Sequence, residues 1–433
     1  MPENLPFHLM LAMMQSQLYA NSYGSSSNAF SPWNLPWMQA LKPKSPMENW
    51  LDQLQKIAET HAHQAEQSAY RARREKKSPR AQHADSTAPD PALWSAIGEE
   101  ALKRSANFME GAQAFLSRSA TPPEMRYPVL WQRGNARLLD IAPRARNQVA
   151  VVCIPSLINK SYILDLYPEV SLVRHLARNN MRPLILDWGA PGDDERGFST
   201  AEYIVAYALD ALDTLRREHD GPIVVLGYCM GGIMATAIAQ LAPFLCDGLI
   251  LLATPWDFSA PDTPVMLLNP ATQLLLTQWF QQSETVAPWL TQGVFHLIDP
   301  FAIQRKYARF SEMDEAEKQH FVAVEHWAND GVPLTREVAQ ECFVQWPQQN
   351  ILATHQWKVG RKWMEPSQIT CPTLAFIPQN DKIVPQGCAI PLTAAIPKCT
   401  VIEPEAGHVS MLVGEQATAQ CLTPMTQWLK QLF

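Results

Sequence analysis

Apolar positions along this chain fall into two regimes. From Gln148 onward, short unbroken apolar runs alternate with stretches of helical spacing. Val149-Ala150-Val151-Val152-Cys153-Ile154, Pro183-Leu184-Ile185-Leu186, Ile223-Val224-Val225-Leu226 and Gly248-Leu249-Ile250-Leu251-Leu252-Ala253 are such runs. A strand that is apolar at every position is buried on both faces, so these runs predict a parallel sheet covered by helices on both sides. One helix is predicted over residues 165–180, with Leu172, Val173, Leu176 and Ala177 on one face. Another opens at the capping box Ser199-Thr200-Ala201-Glu202 and runs to about His219. The alternation lapses over residues 254–370, where helical patterns carry Trp279, Phe280, Trp289, Phe295, Phe301 and Trp327. It resumes with strands at Thr373-Leu374-Ala375-Phe376-Ile377 and Cys399-Thr400-Val401-Ile402-Glu403.

The first part of the chain reads differently. An apolar helix rich in Met and Leu is predicted over residues 7–20, and a Ser/Asn-rich loop over 21–34. Ser45-Pro46-Met47-Glu48 starts a second helix, whose stripe is Trp50, Leu54, Ile57 and Ala58. A basic run over residues 71–80 leads into a polar, proline-bearing linker near 76–90. Asp90-Pro91 opens a third helix, expected to carry Trp94, Ile97, Ala101, Phe108 and Phe115 inward. The organisation that follows is a helical N-terminal region over 1–120 and an α/β domain over 121–433. A helical cap insertion at about 257–357 interrupts the latter.

Composition narrows the function classes. The 433 residues are 47% hydrophobic and carry a formal net charge of −7, which argues against a nucleic-acid-binding protein. The eight cysteines show no C-x-x-C spacing, as expected of reduced thiols in a cytoplasmic protein. The N-terminus, Met1-Pro2-Glu3-Asn4, lacks the basic region of a signal peptide. No apolar run reaches the roughly 18 residues needed for a transmembrane segment. No metal site and no cofactor are expected.

The candidate chemistry centres on Gly227-Tyr228-Cys229-Met230-Gly231-Gly232. A strand precedes it and the helical pattern Ile233-Met234-Ala235-Thr236-Ala237-Ile238-Ala239 follows it. A sharp glycine-flanked turn between strand and helix exposes a nucleophile at its tip, here Cys229 where most such enzymes carry serine. The helix N-terminus behind it favours a thiolate and a developing oxyanion. A nucleophilic thiol needs a base, and the base needs a group to orient it. Asp381 follows the strand at 373–377, and His408 follows the strand at 400–403 in a Gly-turn. The chain order Cys229, Asp381, His408 is that of nucleophile, acid and base in such folds, and C-terminal strand ends share one rim of a parallel sheet. His326 is a rival base and Asp257 a rival acid. The oxyanion hole is assigned to the backbone N–H of Met230 and to a second donor in Pro155-Ser156-Leu157-Ile158, with Ser156 and Leu157 both open.

From about Val129 to the C-terminus the chain resembles the polyhydroxyalkanoate synthases. The resemblance rests on Pro155-Ser156-Leu157-Ile158-Asn159-Lys160-Ser161-Tyr162-Ile163-Leu164-Asp165-Leu166, Ser171-Leu172-Val173-Arg174 and Asp187-Trp188-Gly189. It rests further on the Cys229 elbow, Trp327-Ala328-Asn329-Asp330, Asp381-x-Ile383-Val384-Pro385 and Gly407-His408-Val409. It implies an α/β-hydrolase fold: a mostly parallel central sheet with helices on both faces, a helical cap insertion and a helical N-terminal region. It implies an acyltransferase acting on (R)-3-hydroxyacyl-CoA and a growing polyester chain, with Cys229 acylated, His408 the base and Asp381 the acid. The CoA thioester is then a substrate rather than a cofactor. A homodimer, a second synthase subunit and contact with a polymer granule surface are left open. Lys382 departs from the pattern, since many synthases have His there. The short tail after Gly414 is like that of two-component synthases. A hydrolase or acyl-CoA thioesterase with the same three residues is the competing expectation.

Overall fold

A computed structural model describes residues 91–433, apart from 119–120, 146–147, 265–268, 283 and 300. The expectations for residues 7–58, the basic run and the linker near 76–90 lie outside the described residues. Among the described residues, eight strands form the central sheet: β1 (Val129–Arg133), β2 (Ala136–Asp140), β3 (Ala150–Ile154), β4 (Arg182–Asp187), β5 (Ile223–Tyr228), β6 (Gly248–Leu252), β7 (Thr373–Phe376) and β8 (Cys399–Ile402). Their spatial order is β1-β2-β4-β3-β5-β6-β7-β8. β2 runs antiparallel to both neighbours, and every other pairing is parallel.

The unbroken apolar runs are explained by a two-sided core. Side chains alternate along a strand. Val152 and Ile154 of β3 and Val225 of β5 therefore join one apolar cluster, while Val151, Cys153, Val224 and Leu226 join the other. α1 (Pro91–Leu116) precedes β1 in the chain, and the helices between β3 and β6 are α2 (Leu172–Arg178), α3 (Leu209–Glu218) and α4 (Met230–Leu241). Leu212 and Leu215 of α3 and Ile233 and Ile238 of α4 fill the first cluster. Leu172, Val173 and Leu176 of α2 fill the second. Each such Leu or Ile, fully buried, contributes about 1.5–3 kcal/mol.

Between β6 and β7 lie α5 (Pro270–Gln281), α6 (Pro288–Ile298), α7 (Ala302–Ala308), α8 (Glu315–Asn329) and α9 (Arg336–Gln340), the last continuing as a π-helix over Glu341–Gln349. α10 (Gln386–Ala395) joins β7 to β8, and α11 (Thr423–Leu432) ends the chain. None of the described helices is long and apolar enough to cross a membrane.

Two local expectations are corrected. The helix expected over 165–180 spans only Leu172–Arg178, because residues 165–167 and 170–171 pair as a small hairpin. Pro168 interrupts the earlier stretch, and the Ser171 hydroxyl caps the helix by accepting from Arg174 N–H. Ile97, expected inward on α1, is exposed, whereas Phe115 is buried. A helix of 26 residues is about 39 Å long, so one apolar stripe need not be covered along its whole length. Residues 129–140 form a hairpin that the apolar pattern does not reveal. Its strand β1 is mostly exposed, and Gly134, at φ 53°, makes the turn.

Glu341, at the start of the π-helix, ties this segment to the domain. Its buried carboxylate accepts from Thr200 N–H (2.8 Å) and Thr200 Oγ1 (2.7 Å), at the first turn of the capping-box helix. Burial pushes the Glu341 carboxyl up to about 7, against the opposing hydrogen bonds from Thr200. The folded value exceeds the ordinary one of 4.5, so the native state holds the extra proton. The corresponding stability is present in full below pH 4.5 and is lost as pH rises through about 7. Glu341→Gln is expected to remove this component. Urea unfolding across pH 4.5–8 should show wild type losing up to about 3 kcal/mol relative to the variant.

Candidate active site

Cys229 sits between β5 and α4 at φ 55°, ψ −124°, a conformation rare for a residue with a side chain. Its N–H donates to Leu252 O (2.9 Å), and its carbonyl accepts from Gly232 N–H (2.8 Å). The flanking glycines are required by close approach. A Cβ on Gly227 would meet the Gly231 carbonyl oxygen at 2.4 Å, and one on Gly231 would meet Ile154 O at 1.9 Å. The turn is thereby pressed against β3, and Met230 becomes the first residue of a helix whose leading N–H groups lack intrahelical partners.

Asp381 and His408 lie on the loops after β7 and β8. These loops run side by side: Gln379 N–H donates to Pro404 O and Asn380 N–H to Ala406 O, both at 3.0 Å. Asp381 Oδ1 accepts from Ile383 N–H (2.8 Å) and Val384 N–H (2.9 Å). Its Oδ2 lies 2.7 Å from His408 Nδ1. The Asp381 side chain is fully buried, and that of His408 is 9% exposed. Burial disfavours the imidazolium, but the Asp381 carboxylate and the Cys229 sulfur, each as a charge and as a hydrogen-bond partner, outweigh it and hold His408 well above the ordinary histidine value. The Tyr228 ring lies 5.3 Å from the imidazole, and its hydroxyl donates to His408 O (3.1 Å).

Cys229 and His408 line one cavity of about 430 Å³. Its walls are largely apolar, with Ile158, Ile163, Phe295, Ile298, Ile303 and Val324 prominent. α6, α7 and α8 supply much of that wall. Of the two candidate donors after β3, Ser156 lines both this cavity and a second one of about 390 Å³, whereas Leu157 is buried and lines the second but not the first. The rivals stand elsewhere. Asp257 accepts from Ser259 and Asn350, and His326 does not line the cavity.

Sequence reasoning left the Trp327-Ala328-Asn329-Asp330 segment without a physical role. In the structure it holds the loop after β3. Trp327 Nε1 donates to Lys160 O (2.8 Å), and Asn159 Nδ2 donates to the carbonyls of Trp327 (3.3 Å) and Ala328 (3.2 Å). Lys160 Nζ lies 2.8 Å from Asp330 Oδ1, Tyr162 donates to Asp330 Oδ2 (3.2 Å), and Val332 N–H donates to Ile158 O (2.8 Å). From the other side Trp188 Nε1 donates to Pro155 O (3.0 Å). Lys382 has a comparable part. Its Nζ lies 2.9 Å from Asp299 Oδ2, just past α6, and both residues line the cavity. Partial burial opposes ionisation of Asp299, but Lys382 and Arg305 hold its carboxyl below the usual range.

Trp327→Phe removes the indole donor to the Lys160 carbonyl, a part-buried bond whose loss costs about 0.5–1.5 kcal/mol. Amide exchange at Ile158 and Asn159 is expected to accelerate by up to roughly tenfold, while exchange in β7 stays unchanged.

Residues 149–415 match the family model of the alpha/beta hydrolase fold. The poly(3-hydroxyalkanoate) polymerase subunit PhaC of Haloferax mediterranei is 26% identical over 318 residues, covering 70% of this chain and 63% of that protein. The subunit of the same name from Allochromatium vinosum is 24% identical over 67% of this chain and 82% of its own length. That of Synechocystis sp. is 24% identical over 72% of this chain and 85% of its own length. The match thus spans less than two thirds of the Haloferax protein and a larger share of the other two. With its strand order, its elbow and a family model covering more than half its residues, the chain belongs to the alpha/beta hydrolase fold family, and within it is a relative of the polyhydroxyalkanoate synthases.

Proposed function

We propose that this protein is a polyhydroxyalkanoate synthase-like acyltransferase that polymerises (R)-3-hydroxyacyl-CoA with release of CoA. The observation that carries the reading is the pairing of Cys229 and His408 on one apolar cavity, with Asp381 buried behind the imidazole at 2.7 Å. With His408 Nδ1 committed to Asp381, Nε2 is the nitrogen left to take the thiol proton. The resulting imidazolium is stabilised by Asp381, and the thiolate attacks the thioester carbonyl.

The oxyanion is received by the N–H of Met230 and by a second donor in the loop after β3, where Ser156 faces the cavity. Collapse of the tetrahedral intermediate breaks the bond to CoA sulfur, which leaves with the proton from His408. The enzyme is then acylated on Cys229 as a thioester of nearly equal energy. His408 next deprotonates the 3-hydroxyl of another unit or of a growing chain. That oxygen attacks the acyl-enzyme, forms an oxoester and returns the thiolate. Cysteine suits both halves because its thiolate is a strong nucleophile and a good leaving group. The apolar wall from α6, α7 and α8 disfavours water, whose attack would give hydrolysis.

The reaction calls for no cofactor, since the thioester supplies the driving force. The relatives' printed names support the polymerising reading over a thioesterase with the same three residues. Incubation with (R)-3-hydroxybutyryl-CoA, following free CoA and product together, is expected to yield CoA and polyester. Free 3-hydroxybutyrate as the sole product would overturn polymerisation and leave the thioesterase. His408→Ala is expected to slow CoA release by on the order of 10²–10⁴-fold.

A further inference from the structure

We propose that Cys246 and Cys371 form a second, redox-active thiol site that closes into a disulfide by exchange with a small disulfide such as glutathione disulfide. The pair precedes two neighbouring parallel strands. Cys246 comes just before β6 and Cys371 just before β7, and Thr373 is in register with Leu249. This is the N-terminal rim of the sheet, whereas Cys229 follows the C-terminal end of β5. The two sulfurs lie 3.9 Å apart and share a hydrogen bond. All eight cysteines are free.

The two thiols are not equivalent. Cys246 is 1% exposed and its sulfur also lies 3.2 Å from Gly248 O, while Cys371 is 9% exposed. The hydrogen bond from Cys246 draws the Cys371 thiol below its ordinary value, against partial burial, with Lys398 assisting and Asp247 opposing. Cys246 is pushed well up by the same bond and by burial. Burial also pushes Cys153, Cys342, Cys388, Cys399 and Cys421 up. Cys371, the more accessible of the two sulfurs, is the attacking one and Cys246 the resolving one.

The exchange balances in two steps. The Cys371 thiolate attacks one sulfur of glutathione disulfide, forms a mixed disulfide and expels one glutathione thiolate. Cys246 then attacks the Cys371 sulfur and expels the second glutathione, which takes the Cys246 proton. The protein loses two hydrogens and the reagent is reduced to two glutathiones. The sulfurs must close from 3.9 Å to about 2.05 Å. The new bond would link positions 125 apart in sequence and enclose every helix between β6 and β7. A bridge over so long a loop stabilises by restricting the unfolded chain.

The test uses full-length protein carrying Cys229→Ser, which keeps the elbow thiol out of the reaction. After glutathione disulfide, non-reducing peptide mapping is expected to show Cys246 joined to Cys371 and the intact mass reduced by two hydrogens. Tm is expected to rise by several degrees and to return with dithiothreitol. Adding Cys246→Ser should trap glutathione on Cys371, and adding Cys371→Ser should leave Cys246 unmodified. Both cysteines remaining free in the Cys229→Ser protein would overturn the proposal, as would a stable glutathione adduct on Cys371 with Cys246 still present. That mapping requires neither double variant to fold.

Discussion

The backbone at Cys229 is held in a left-handed conformation by the packing of α4 against β3, and the placement of every other group at the rim is set against it. A non-glycine residue in such a conformation costs about 1–3 kcal/mol. Its surroundings offset that cost through the hydrogen bond to Leu252 O, the return bond from Gly232 and the absence of any Cβ at Gly227 and Gly231. The strain has a geometric consequence. It lifts the sulfur out of the strand and into the cavity while directing the start of α4 at the same point. β6 takes part directly, since its last residue accepts from the Cys229 N–H.

Around that fixed point the molecule uses loop-to-loop bonds rather than regular structure. The loops after β7 and β8 are zipped together, so Asp381 and His408 cannot move independently. The loop after β3 is gripped by indole N–H groups from two directions, Trp188 and Trp327. Trp327 belongs to α8, which also contributes to the cavity wall. A shift of that helix would be felt at the loop that carries Ser156. The Lys382–Asp299 pair adds a second connection, from the residue beside Asp381 to the end of α6.

Much of the fold was legible because it depends on burial. β3 to β7 are short strands in a sheet covered on both faces, and a run such as Val149 to Ile154 has no other comfortable home. The elbow was legible because its glycines answer to contact distances that any Cβ would violate. The chain-order argument led to Cys229, Asp381 and His408, which the topology brings to one rim. The hairpin of β1 and β2 was hidden because an edge strand with exposed residues has no apolar run. The π-helical stretches at Tyr203–Ala208 and Glu341–Gln349 leave no periodic signature distinct from an α-helix. The grip of Trp327 on Lys160 joins residues 167 apart, through a side chain and a carbonyl, and nothing local in either segment announces it.

The central claim is that the Cys229 sulfur becomes acylated. Its most direct test is intact-protein and peptide mass spectrometry after seconds of exposure to a 3-hydroxyacyl-CoA. The account requires a hydroxyacyl adduct on the peptide containing Cys229, lost on treatment with hydroxylamine. CoA released at the full rate, with that peptide unmodified and Cys229→Ala equally active, would contradict it.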